Sequence, residues 1–508
     1  MSYYKKFQSL SSKPLLVATI IFILALNTRI YNFAEMGQTW DETAYVMDGY
    51  TMINLLIKGD FTNKHWYDYP DHPPLAKYMY GLASLLDKDG TFDNGKPSFV
   101  FDYNFMRLVS VFCAALSAAL LFLLTRKYFS NKVAILAAII FMLLPRLIGL
   151  NQLVTLESPK ILFYIATILA FMGLLEKPSN RRIILVGILL GLTLSVKLTN
   201  ILILPILFGS LFIYAVRHKM QKEEILKIFL ILPISFITFF AIWPALWFRP
   251  IETLKHAASI RIPQLGLGSL FLGKYDAAPF YYYIVYFFIT TPLLIVLFFL
   301  IGLKDLLRKP NWQFLTIVLW FFVPFLLSFY NLKQGGIRYV IEIYPALAIL
   351  AALGVDWAAK KFSEHGFVLL YFLVPIYLLV SCLLISPYYL DYFNSLAGGT
   401  VGVYQNRTFE LGWWGEGQRE ATLFLSHNAV RGNRVGVYVV PKYLIPPIDG
   451  LTFEFYNPKK NYDYLMVNYL ALINARLDYS IVPSNYQPVY TVEAQGAPIV
   501  VVFRRITH

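Results

Sequence analysis

Residues 277–303 read AAPFYYYIVYFFITTPLLIVLFFLIGL, twenty-seven positions without one charged side chain. A helix needs about 20 mostly apolar residues to cross roughly 30 Å of hydrocarbon, so this stretch alone is long enough. Working outward, charge-free runs recur at 14–28, 108–125, 161–175, 198–216, 228–248, 310–332 and 366–390. The whole chain is 57% hydrophobic and 15% charged, whereas a soluble domain is about a quarter charged. The expected fold class is mainly α: a polytopic helical membrane protein with about 11 transmembrane helices.

The same composition excludes disorder, collagen and a disulfide scaffold. Cys113 and Cys382 both lie in apolar runs, read as small buried side chains, and no CxxC pair exists. The net charge of +14 does not indicate nucleic acid, because its excess sits in short clusters between apolar runs.

Eleven spans are expected at about 14–33, 108–125, 133–150, 159–175, 183–199, 201–216, 228–247, 281–303, 312–330, 340–357 and 366–388. Every second connection is basic: Lys5/Lys6/Lys13, Arg126/Lys127/Lys132, Lys177/Arg181/Arg182, Arg217/Lys219/Lys222/Lys227, Lys304/Arg308/Lys309 and Lys360/Lys361. Lys and Arg in short loops mark the cytoplasmic side. The expected localisation is therefore the cell membrane, multi-pass, with a cytoplasmic N-terminus read as a retained signal anchor. An odd number of spans puts the tail outside.

Two domains follow, a membrane domain over 1–390 and an extracytoplasmic α/β domain over 391–508. Within the first, 34–107 is a large outer loop with eleven acidic residues. Its apolar segment at 74–86 is too short to span and suits an interfacial helix. In the tail, Arg434–Val440 and Pro498–Phe503 alternate as strands and Gly417–Asn428 reads as a helix.

The chemistry gathers in the outer loop. Thr39-Trp40-Asp41-Glu42 sets two adjacent carboxylates just past the first span. Tyr67-Asp68-Tyr69-Pro70-Asp71-His72-Pro73-Pro74-Leu75-Ala76-Lys77 then brings acids, an imidazole and a cation to a helix whose first turn tolerates proline.

An Asp-Glu pair after the first span followed by His-Pro-Pro-Leu-x-Lys resembles membrane-embedded GT-C glycosyltransferases, especially the protein O-mannosyltransferases and the aminoarabinose transferases that modify lipid A. In the same order, Phe105-Met106-Arg107-Leu108-Val109-Ser110, Arg126-Lys127-Tyr128-Phe129, Leu189–Lys197, and Ile337-Arg338-Tyr339 with Tyr344-Pro345-Ala346 resemble further segments of these families. The resemblance covers about 1–355. It implies an inverting transfer of a mannose-like or pentose-like sugar from a polyprenyl-phosphate donor to an extracytoplasmic acceptor hydroxyl.

The residues can be read for that reaction. A carboxylate within hydrogen-bond reach takes the hydroxyl proton; Asp41 is expected in that role, with Glu42 orienting it or trading places. Fixed cations must meet the departing phosphate, and the candidates are Arg107, Arg338, Lys77 and Lys197. Trp40, Trp66, His72 and Glu157 are expected to line the substrate pocket, the two tryptophans by stacking on sugar. Aromatics run densely at Tyr281-Tyr282-Tyr283 and Trp413-Trp414, and most of the chain's other aromatic rings are expected in interface belts. The tail segments Leu396–Gly399 and Trp414–Gln418 suggest a domain that helps choose the acceptor.

No cofactor is required by this chemistry. A divalent metal is left open, with His65, His72, Asp41 and Glu42 available to it, although their spacing fits no zinc template. The expected partners are a polyprenyl-phosphate-linked sugar, a protein, lipid or glycan acceptor, and the bilayer, with no nucleic acid. The alternatives are a lipid-linked-sugar transporter or flippase and a non-catalytic glycolipid-binding relative.

Overall fold

A computed structural model describes residues 13–68, 72–86, 92–93, 96–97, 103–261, 268–304, 310–330, 335–361, 364–474 and 479–506. Lys5, Lys6, Tyr69–Asp71, Arg308 and Lys309 lie outside the described residues.

All eleven expected segments are helical. Among the described residues, six helical stretches are long and apolar enough to cross a membrane: Asn104–Tyr128, Glu157–Glu176, Leu198–His218, Lys222–Ile242, Trp312–Tyr330 and Gly336–Ala359. Pro14–Ile30 and Leu369–Ile385 are shorter apolar helices. The span expected over 183–199 is a helix only over Asn180–Leu194, and the chain breaks at Ser195–Lys197 before turning back.

Two segments differ from the straight spans the hydropathy suggests. Residues 281–303 form helices Tyr282–Thr290 and Leu293–Gly302, bent by 112°, and 133–150 form Asn131–Met142 and Pro145–Asn151, bent by 65°. Proline explains both breaks, since it has no N–H for the preceding turn and its ring clashes there. At Pro292 the carbonyls left over find a partner far along the chain. The Asn394 side-chain amide donates to the carbonyls of Phe288 and Thr291, each at 2.6 Å, and its backbone N–H donates to Ile289 at 2.8 Å. Irregular backbone in an apolar setting needs such satisfaction. Beyond the bend, Leu293–Gly302 meets Gly336–Ala359 so closely that a Cβ on Gly354 would lie 1.8 Å from the Phe298 carbonyl oxygen. Only glycine fits such a crossing.

The basic turns share one end of the bundle. Lys127 pairs with Glu176 at 2.6 Å, Arg182 donates to the Gly173 carbonyl, and Arg217 donates to the Pro310 carbonyl. The rings of Tyr128 and Tyr214 both meet Trp312.

The other end carries the loop over residues 34–107, as far as it is described, and the tail. Helix Trp40–Lys58 starts in a capping box, with Thr39 and Glu42 each bonding the other's backbone. The short helix expected over 74–86 is Leu75–Ser84. It crosses Trp40–Lys58 at Gly49 and Gly81, where a Cβ on Gly81 would fall 2.1 Å from the Gly49 carbonyl oxygen.

The tail holds a five-stranded mixed sheet ordered 452–455, 434–438, 464–468, 497–505, 486–494. The first three strands are parallel and the last two are antiparallel. Its central strand Tyr464–Asn468 is buried throughout, as its run of apolar residues requires. Helix Gln418–Asn428 packs on the 486–505 hairpin.

Candidate functional site

Asp41 and Glu42 both fall in the first turn of helix Trp40–Lys58, yet successive helical positions point about 100° apart. Glu42 is fully buried. Its Oε2 accepts from the Thr39 N–H at 2.9 Å and from Arg107 at 2.7 Å. Its Oε1 accepts from Arg107 Nε at 2.8 Å and from the Val154 N–H at 2.9 Å. Arg107 spends its remaining contacts on the carbonyls of Phe33 and Gly37. This corrects two expectations. Glu42 cannot trade roles with Asp41, because water and an acceptor cannot reach it. Arg107 is not a free phosphate clamp, because its guanidinium is committed to a buried carboxylate and to the backbone that leads into the helix.

Asp41 faces a different arginine. Gly335 and Gly336, both at positive φ, turn the chain into the short helical segment Gly336–Ile343, and Tyr282 Oη accepts from the Gly336 N–H at 3.1 Å. Arg338, two residues on, donates to Asp41 Oδ2 at 3.0 Å and to Tyr339 Oη at 3.1 Å. Its guanidinium lies 4.5 Å from the Trp414 ring and 4.9 Å from that of Tyr339, within the range of cation–π attraction. Behind it, Lys197 pairs with Glu157 at 3.2 Å and stands 4.9 Å from the Tyr339 ring. The break at Ser195–Lys197 brings this lysine out of its helix and up to Glu157.

Charges of alternating sign are thus drawn together from four parts of the chain. The Asp41 side chain is 34% exposed and that of Arg338 12%, while Glu157 and Lys197 are 4% each. Asp41 is the acid of this group that solvent and an incoming hydroxyl can reach. Nearby, a cavity of about 210 Å³ is lined by Gly37, Gln38, Tyr103, Arg419 and Tyr443. Burial and the Asp41 charge push the Tyr443 phenol above its ordinary pKa.

Other expected site residues lie elsewhere. Lys77 is fully buried and pairs with Asp48 at 2.9 Å, so it joins the two outer-loop helices and presents no charge to a lipid phosphate. Trp66 is 1% exposed, packed with Met52, Leu55 and Trp243, and its indole donates to the Asp60 carbonyl at 2.9 Å. A ring enclosed this way cannot stack on a sugar. Trp40 packs against Gly415 of the tail, and its backbone N–H donates to the Trp414 carbonyl at 3.2 Å. The His72 ring lies 6.5 Å from that of Tyr45, one turn beyond Asp41, which leaves it beside the site.

The suggested metal ligands do not converge. Glu42 is consumed by Arg107 and backbone, and His65 faces Asp48 at 3.7 Å. Among the described residues, no group of three His, Cys, Asp or Glu side chains is arranged to hold a metal ion.

The sequence reading missed the tail's share of the site. Trp413 and Trp414 stack at 4.9 Å and 12°, and they lie against Arg338 instead of in a lipid belt. The available signal was their setting between Gly412 and Gly415, which indicates a tight turn.

The family described as dolichyl-phosphate-mannose-protein mannosyltransferase matches residues 60–261. That segment begins after the Asp41-Glu42 pair and includes Lys77, Arg107, Glu157 and Lys197. No curated protein matches the chain. Among solved structures, ArnT from Cupriavidus metallidurans bound to undecaprenyl phosphate aligns with a TM-score of 0.52 and 13% identity, covering 96% of this chain and 97% of that one. The archaeal oligosaccharyltransferase AglB from Archaeoglobus fulgidus aligns at 0.47 and 12% identity over 94% of this chain and 73% of its own. The S. cerevisiae protein O-mannosyltransferase Pmt1-Pmt2 complex aligns at 0.39 and 20% identity over 53% and 40%. The chain is thus a membrane protein that shares its fold with ArnT and contains a segment, residues 60–261, similar to the dolichyl-phosphate-mannose-protein mannosyltransferase family.

Proposed function

We propose that the chain is an inverting glycosyltransferase that moves a sugar from a polyprenyl-phosphate carrier to an acceptor hydroxyl on the extracytoplasmic face. The observation that carries this reading is the Asp41–Arg338 contact at 3.0 Å, with the acid open to solvent and the cation backed by aromatic rings. Asp41 accepts the hydroxyl proton as the acceptor oxygen attacks the anomeric carbon. The bond from that carbon to the phosphate oxygen breaks, and its electron pair leaves with the carrier phosphate. Arg338 meets the charge that develops on this oxygen, where a guanidinium can bond two oxygens at once. Lys197 stands behind Arg338 and adds positive potential, while Glu157 holds it in place. Glu42 and Arg107 position the helix that bears Asp41.

A carrier lipid is supported by the undecaprenyl phosphate bound to ArnT and by the description of the matched family. An outer-face site is supported by the clustering of basic turns at the opposite end of the bundle. On that reading the N-terminus is cytoplasmic and the tail sheet extracytoplasmic, and a reporter fused after His508 should report from outside.

The test is to incubate purified protein in lipid vesicles with a panel of labelled polyprenyl-phospho-sugars and candidate acceptors. Label should move to an acceptor hydroxyl for one donor and stay on the lipid with Asp41→Asn. If label crosses between leaflets without transfer, the protein is a transporter and the proposed reaction is wrong.

A further inference from the structure

Behind the tryptophan turn lies a group of buried polar side chains that the proposed reaction does not use. Asp391 and Glu416 are both fully buried. Asp391 Oδ1 accepts from the Gly412 N–H at 2.8 Å, and Glu416 Oε2 accepts from the Trp414 N–H at 2.8 Å. The Gly415 N–H closes the turn on the Gly412 carbonyl at 3.0 Å, so the two carboxylates hold the turn Gly412–Gly415 from its first and third residues. Each acid leaves its second oxygen, Asp391 Oδ2 and Glu416 Oε1, with no hydrogen-bond partner among the described residues.

That turn touches Arg338 and the residue that precedes Asp41. The Trp414 ring covers the Arg338 guanidinium at 4.5 Å. The Trp414 carbonyl accepts the N–H of Trp40 at 3.2 Å, and the next residue along the helix is Asp41. A shift of this turn therefore moves the acid and uncovers the arginine together.

Charge counting decides the protonation of the acids. The cation facing both is Arg146, whose Nε donates to the Tyr392 carbonyl at 3.0 Å and whose Nη2 has no partner among the described residues. The Tyr388 phenol also faces Asp391 and donates to Glu420 at 2.6 Å. Two ionised carboxylates against one guanidinium leave a net negative charge in a buried site, which is strongly unfavourable. Such pairs keep a proton between them.

We infer that Asp391 and Glu416 are positioning residues for transfer, and that a proton retained by this pair keeps the Trp413–Trp414 turn over Arg338. Burial pushes both acids above the ordinary carboxylate range, and the Asp391 charge raises Glu416 further, in agreement with the charge count. The inference rests on the glycosyltransferase reading for its consequence, though the device itself is read without any substrate.

Intrinsic tryptophan fluorescence of the full-length, ligand-free protein tests the device, followed from about pH 6.5 to 9.5. The wild type should show an emission transition as the proton leaves, and the Trp413→Phe/Trp414→Phe double variant should lose it. Glu416→Gln, which keeps an acceptor for the Trp414 N–H but cannot ionise, should be flat. Asp391→Asn should behave alike and serves if the first variant fails to fold. Binding of undecaprenyl phosphate then reads the consequence: about tenfold weaker in the wild type at the upper pH, with most of that loss absent in Glu416→Gln. Equal pH dependence in the wild type and both neutral variants, or normal binding by Trp414→Ala, overturns the inference. A fluorescence transition without undecaprenyl phosphate binding at any pH instead overturns the carrier assignment and leaves the device standing.

Discussion

Asp41 and Glu42 are neighbours in one helical turn and each faces an arginine, but the two ion pairs have opposite characters. Glu42–Arg107 is dry, with both carboxylate oxygens doubly bonded. Asp41–Arg338 is partly open, and one carboxylate oxygen carries the contact. The difference teaches that a carboxylate saturated by fixed donors is a structural part, whereas one with spare lone pairs and access to solvent can accept a proton.

Breaking the closed pair should have the largest effect. Arg107→Ala leaves Glu42 buried and uncompensated, which costs about 3–5 kcal/mol. Thermal unfolding of the purified variant should show that loss, with transfer falling as the folded fraction falls. Asp41→Asn should do the reverse. Transfer should drop by about 10²–10⁴-fold, the usual worth of a positioned base, while the unfolding midpoint moves little because a partly exposed pair contributes about 0–1 kcal/mol. If Asp41→Asn unfolds as readily as Arg107→Ala, the contrast between the pairs is mistaken.

Arg338→Ala should raise the donor KM with a smaller change in that of the acceptor, on the scale of about 1.5–3 kcal/mol for hydrogen bonds to a charged group. Arg338→Lys should recover only part, since an ammonium does not bond two phosphate oxygens in a plane. Equal donor KM in both variants would remove Arg338 from the phosphate.

A pH experiment sharpens the comparison with the acids behind the turn. Glu416 is raised from 4.5 to about 8 in the folded protein, so between those values the folded state holds a proton that the unfolded chain has released. Wild-type stability should therefore be highest at the acid end of this window and fall as pH rises through it. Glu416→Gln lacks this contribution and keeps only that of Asp391, which lies at lower pH. It should match the wild type near pH 4.5 and exceed it near pH 8 by on the order of 4 kcal/mol, measured as unfolding midpoints across the range. The smallest effect belongs to Trp66→Phe, which keeps a core ring and loses one hydrogen bond, about 1 kcal/mol. Unchanged transfer by that variant would support a core position, and a selective rise in donor KM would return Trp66 to the sugar pocket.

The sequence was informative wherever its signal was local. Apolar runs of sufficient length located the membrane helices, alternation located Arg434–Tyr438 and the strand ending the tail, and Thr39-x-x-Glu42 is itself a capping-box pattern. The bends were harder to place, because Pro324 and Pro375 sit inside helices that continue, whereas Pro292 breaks one whose stray carbonyls Asn394 receives. Lys77 and Trp66 carried the right chemistry for a site, but neighbours brought in by the fold enclosed them.

From residue order alone came the membrane class, the positions of the apolar runs and the acid pair just past the first span, because these depend on short-range spacing. Which acid stays open depends on partners 65 residues away for Glu42 and 297 for Asp41, and on a tryptophan turn from the far end of the chain. Burial and charge pairing are properties of the assembled neighbourhood, so tertiary structure alone decided them.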